Sequence, residues 1–102
     1  MSDGHVVDWG AIDRLLGEFD GRVEGLAEAG RDFARVIHRL QRIVRMVLVH
    51  EEKTFGYTLQ RWRLVDGDGE LELGTERRGA GRFAVIARWA GGRQANMPLP
   101  PS

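Results

Sequence analysis

The chain has 102 residues, of which 42% are hydrophobic and 29% charged, and its 15 Lys and Arg balance 15 Asp and Glu. That length suits one small domain, and zero net charge gives no global field toward nucleic acid or an anionic membrane. With no cysteine, disulfides and thiolate metal sites are excluded.

Residues 1–7 show no basic patch followed by an apolar run, so they read as a flexible leader rather than a signal peptide. From Trp9 the apolar residues fall at Trp9, Ile12, Leu16, Phe19, Val23, Leu26, Phe33, Ile37, Leu40, Val44 and Val47, with Gly30 filling the one gap. Steps of three and four alternate throughout, which is the heptad stripe of a helix that buries one seam against another helix. Asp8 is the expected N-cap. The spacing therefore predicts one long amphipathic helix over residues 8–50. Five glycines between Gly10 and Gly30 each cost about 1 kcal/mol relative to alanine, so the helix needs packing partners. The register passes through Ala29-Gly30-Arg31 without insertion. This favours a continuous helix, kinked at Gly30, over an αα-hairpin broken there.

The two halves of this stretch differ. Residues 1–30 carry seven acidic side chains against two arginines, and residues 31–50 carry five arginines against Asp32. The narrow first half, Trp9, Ile12, Leu16, Phe19, Val23 and Leu26, is the expected self-association seam of a homo-oligomer, with a dimer favoured. The second half is widened by Val36, Ile43 and Leu48 and suits packing on a sheet. The apolar cluster Ile43 to Val49 is interrupted by Arg45 and is too short to cross a bilayer. A cytoplasmic protein without membrane contact is expected.

From Thr54 the period changes to two. Alternating stretches separated by Asp66-Gly67-Asp68-Gly69 and Gly79-Ala80-Gly81 predict a three-stranded antiparallel meander over 54–90. A tight turn at Gly67-Asp68 sets Leu64 opposite Leu71 and Trp62 opposite Leu73. The second turn sets Leu73 opposite Ala87, Leu71 opposite Trp89 and Glu72 opposite Arg88. One face then carries Trp62, Leu64, Leu71, Leu73, Val85, Ala87 and Trp89, and the other a row of Arg63, Glu72 and Arg88. A parity slip near Gln60-Arg61 predicts a bulge there. Residues 91–102 hold all three prolines and read as a disordered tail, with Met97 to Ser102 as a candidate polyproline ligand. The expected fold is α+β: the long helix, then the meander packed on its second half, in one domain over 8–90.

Chemical signatures are sparse. Aligned as a calcium loop, the segment from Asp66 to Leu71 would put Leu64 and Thr75 at the two obligatory carboxylate positions, so a hairpin turn is the better reading. His5, His38 and His50 lack metal-ligand spacing. Serine occurs only at Ser2 and Ser102, which leaves no candidate nucleophile, and no glycine-rich loop joins a strand to a helix. No catalytic residue, cofactor or metal is expected. Arg31, Arg35, His38, Arg42 and Arg45 recur at helical spacing and form the candidate partner-binding stripe. The expected function is a small non-enzymatic oligomeric interaction module: an adaptor, assembly component or inhibitor that binds a protein partner. The alternative is nucleic-acid binding through the Arg31–Arg45 stripe.

Overall fold

Asp8 starts the first helix: its carboxylate accepts the Ala11 N–H at 3.0 Å. In the computed structural model, which describes residues 7–66 and 69–91, helix α1 (Trp9–Phe19) is followed by strand β1 (Val23–Glu24) and helix α2 (Leu26–Ile43). Four strands follow: β2 (Met46–Thr54), β3 (Tyr57–Leu64), β4 (Glu70–Gly79) and β5 (Arg82–Gly91). They form a five-stranded antiparallel sheet in the order β1-β5-β4-β3-β2. α2 packs over β5 and β4, and α1 packs over β5 and against α2.

The single helix over 8–50 is overturned, and so is the three-stranded meander. The helical run stops at Phe19. Asp20 turns into extended backbone and Gly21 takes a φ of +86°, a conformation that a side chain disfavours. The chain then pairs with β5: Val23 lies opposite Ala84 and Glu24 opposite Phe83. Gly30 does not break the chain. It lies inside α2, and a Cβ there would meet nothing within 4 Å. The heptad register survives the interruption only in the counting, because Val23 and Leu26 fall at the break and are exposed. At its other end, α2 stops at Ile43, and Val44 is already extended. The run Val44 to Val49 is rich in β-branched residues, which suit a pleated strand. It opens β2, a fourth long strand that the helical reading had absorbed.

The core lies between the helices and one sheet face. Ile12, Leu16 and Phe19 of α1, Val36 and Leu40 of α2, and Leu64, Leu71, Leu73, Val85 and Ala87 of the sheet are buried in one cluster. Trp62 and Trp89 pack against it half-buried, so all seven side chains of the expected apolar face lie on the helix side. Trp89 closes the start of α1: its ring centroid is 5.7 Å from that of Trp9, and its Nε1–H donates to Asp13 Oδ1 at 2.8 Å. Each fully buried aliphatic or aromatic side chain contributes roughly 1.5–3 kcal/mol, so this cluster accounts for most of what holds the layers together.

The β4–β5 register has Leu71 opposite Trp89, Glu72 opposite Arg88 and Leu73 opposite Ala87, as the alternation predicts. The β3–β4 register differs by two residues from the tight-turn expectation: Trp62 faces Leu71, and Arg61 rather than Arg63 faces Glu72. A two-residue shift preserves parity, so the faces are unchanged. The bulge sits across the ladder from its expected place, in β2 between Leu48 and His50. The turn residues Gly67 and Asp68, the leader over 1–6 and the tail over 92–102 lie outside the described residues.

Candidate functional site

The arginine stripe lies along α2 and the link after it. Arg31 is 3.1 Å from Glu28, Arg35 is 3.0 Å from Asp32, and Arg45 makes hydrogen bonds of 3.0 and 2.8 Å to the two oxygens of Asp66. His38 and Arg42 are exposed and have no ion pair among the described residues. Three of the five members are therefore met by carboxylates of the same chain. That weakens the field a polyanion would feel, although exposed pairs of this kind add only about 0–1 kcal/mol to stability.

Of the expected self-association seam, Ile12, Leu16 and Phe19 are inside this chain's own core and Trp9 packs on Trp89. Val23 and Leu26 alone are exposed, on β1 and at the first residue of α2. The larger gathering of exposed apolar side chains lies elsewhere. Ile43 at the end of α2, Val47, Leu48 and Val49 on β2, and Val65 after β3 are all exposed. Val65 is tied to this corner by its N–H, which donates to the Arg45 carbonyl at 2.9 Å. β2 is the outer strand, so one of its edges has no neighbour in the sheet.

A second feature is a cleft of about 510 Å³ at the opposite end of the helix-covered face, where α2 begins. Leu26, Phe55 and Phe83 supply apolar walls, and Thr58, Thr75 and Arg77 supply polar groups. Thr58 and Thr75 are direct partners across the β3–β4 ladder. Phe55 sits in the β2–β3 hairpin turn and is 94% exposed, with the Arg77 guanidinium 5.9 Å from its ring centroid. Of these six, the sequence reading placed Leu26 in the self-association seam and Thr75 in the rejected calcium-loop alignment, and brought none of them together as a cleft. A signal was present: Thr75 and Arg77 continue the parity of Leu71 and Leu73, so the apolar face of β4 ends in polar residues.

On the far side of the sheet, a smaller hollow of about 370 Å³ lies among Val49, His50, Glu52, Leu59, Arg61, Arg63 and Glu70. Its charges are matched internally. Arg61 and Arg63 reach Glu70 at 3.8 and 3.5 Å, and His50 reaches Glu52 at 3.3 Å.

Between β1 and α2 lies a charged cluster. Asp32 is buried on α2 and lies 3.3 Å from Arg22 as well as 3.0 Å from Arg35. Glu24 of β1 hydrogen-bonds to Asp32, and that bond, with burial, raises its pKa above the usual 4.5. Its Oε1 is buried without a hydrogen-bond partner. Arg22, just before β1, is tied to α2 by its ion pair with Asp32, whereas Glu24 of β1 meets the same carboxyl as a like-charged neighbour.

Among the described residues, no group of three or more His, Asp or Glu is placed to hold a metal ion, and no helix is long and apolar enough to cross a membrane. No protein-family model, curated protein or solved structure matches the chain.

Proposed function

We propose that the chain is a non-enzymatic, cytoplasmic interaction module that works as a homodimer and binds a protein partner. The observation that carries this reading is the exposed apolar corner of Ile43, Val47, Leu48, Val49 and Val65 beside the free edge of β2. Exposed apolar side chains gathered at an open strand edge are a usual mark of an association surface. The occupant is a second copy of the chain. In an antiparallel two-fold pairing centred on Leu48, Val47 of one copy lies opposite Val49 of the other, and Arg45 lies opposite Glu51. Apolar meets apolar and cation meets anion. Registers shifted toward the C-terminal end of β2 bring Val47 against Glu51 or Leu48 against Glu52. The Val49 bulge and the charges of Glu51, Glu52 and Lys53 deter indiscriminate strand addition, whereas a two-fold copy carries the same bulge and the complementary charges. His38 and Arg42, exposed on the outer side of α2, remain the proposed contacts for an acidic surface of the protein partner.

Light scattering after size exclusion, across a range of concentrations, tests the reading. The expected result is twice the mass of the chain at high concentration, falling to the mass of one chain when Leu48 and Val49 are both changed to Lys. One-chain mass at every concentration, or a dimer that survives both substitutions, overturns it.

A further inference from the structure

We propose that the cleft at the start of α2 is a binding site for a small monocarboxylate with an apolar, preferably aromatic, body. It is independent of the dimer surface. The volume, about 510 Å³, falls within the ~300–1,000 Å³ of small-molecule pockets. Its walls hold one cation and no acidic side chain. That cation is one of the arginines, with Arg14, Arg42 and Arg82, that have no carboxylate within reach among the described residues, and of these four it alone lines the cleft. Arg22, Arg35, Arg45, Arg61, Arg63 and Arg88 each have a carboxylate within 4 Å. Arg77 has none among the described residues. Its Nε–H donates to the Gly79 carbonyl at 3.4 Å, and its guanidinium lies against the Phe55 ring. The remaining donors of the guanidinium fork are free for a planar carboxylate.

Three further observations converge on the same place. The Thr58 and Thr75 side chains stand side by side on the helix-facing side of the sheet, and no hydrogen bond to either hydroxyl exists among the described residues. The N-cap of α2 is Gly25, which offers no side-chain cap, so the first N–H groups of the helix are uncapped where Leu26 enters the cleft wall. Lastly, Leu26 is 63% exposed and Phe55 94% exposed at the rim, while Phe83 forms the half-buried floor. Apolar surface left in water on opposite sides of a cleft gains from an apolar body placed between. One guanidinium and two hydroxyls match a single carboxylate. A phosphate ester with a polar body would leave the phenyl rings and Leu26 unmatched. The hollow on the far face is a useful contrast: its arginines are already neutralised by Glu70 and Glu72, so it has no charge to offer a ligand.

The test is an NMR titration of the full chain with hydrocinnamate and, separately, with phenylpropanol, which carries the same apolar body without the charge. Expected are saturable amide shifts centred on Leu26, Thr58, Thr75, Arg77 and Phe83, with the carboxylate bound about ten-fold or more tighter than the alcohol. Arg77→Met removes the guanidinium but keeps an apolar stem, and should bring the carboxylate down to the level of the alcohol. Arg78→Met should leave the preference intact. Absence of saturable shifts, shifts centred elsewhere, equal affinity for the two probes, or a preference that survives Arg77→Met would each overturn the proposal.

Discussion

The Asp20 carboxylate accepts the Ala87 backbone N–H at 2.8 Å, joining residues 67 positions apart. The bond extends a ladder. Gly21 donates to the Val85 carbonyl and Val85 donates to the Arg22 carbonyl, both at 2.8 Å. Beyond them the backbone of the first connection has turned away, and the Asp20 side chain supplies the next acceptor for β5. Asp20→Ala leaves that strand donor without its partner and should destabilise the fold by about 1–3 kcal/mol. Asp20→Asn, whose amide oxygen still accepts, should cost less. Chemical denaturation of both variants checks the order, and equal stability of all three proteins would contradict it.

The position of the chain reversal is testable with two alanines. Gly21→Ala places a side chain at positive φ and should destabilise by roughly 1 kcal/mol or more. Gly30→Ala puts a better helix former at an open, exposed position inside α2 and should stabilise by about 0.5–1 kcal/mol. If the chain broke at Gly30 instead, the signs would exchange.

Leu16 and Leu26 both fall on the heptad stripe but occupy opposite places in the molecule, at 5% and 63% exposure. Leu16→Glu buries an unpaired charge and should leave no cooperatively folded protein at neutral pH. Leu26→Glu should change unfolding stability by no more than about 0.5 kcal/mol. Similar thermal melts for the two variants would contradict the intramolecular core.

Gly74 is where β3 and β4 approach too closely for a side chain: a Cβ there would run into the Thr58 carbonyl. Gly74→Ala must push β3 aside and should cost about 1–3 kcal/mol or more. A variant as stable as the parent in urea would mean that the strands are set further apart.

Glu24 gives the pH dependence a sign. Its hydrogen bond to Asp32, its burial and the negative charges of Asp32 and Glu28 raise its folded pKa above 4.5, against the opposing pull of Arg22. The folded state therefore holds the proton more tightly than the unfolded state. Stability falls as pH rises from 4.5 through the folded pKa, and the penalty is fully present above it. Glu24→Gln removes that penalty and can still donate to Asp32. It should melt higher than the parent at neutral pH, with the gap closing below pH 4.5. A constant gap from acid to neutral pH would mean that Glu24 titrates as an ordinary exposed carboxylate.

Period-two alternation was legible because it is local: Leu71, Leu73, Val85 and Ala87 could face only one way, and Asp8 announced its cap. The break after Phe19 was not, because Val23 and Leu26 happen to keep the heptad count while the backbone between them is a strand and a turn. The only local sign was Asp20-Gly21, and other glycines nearby diluted it. β2 was hidden for a related reason, since Val44 and Val47 fit a helical stripe as well as a strand. The cleft was harder still. Its six side chains come from four separate stretches of sequence, and nothing in any one of them points to the others.

The two rims of the sheet are unequal. β1, at one side, is a two-residue strand, too short to accept a neighbour, while the nine residues of β2 form the other side. The proposed pairing of two β2 strands uses the longer of the two outermost strands among the described residues. The product would be a ten-stranded sheet with β1 outermost at both sides. In the proposed dimer the pairing edge is thereby used up, and a third copy would have to add beside the two-residue β1.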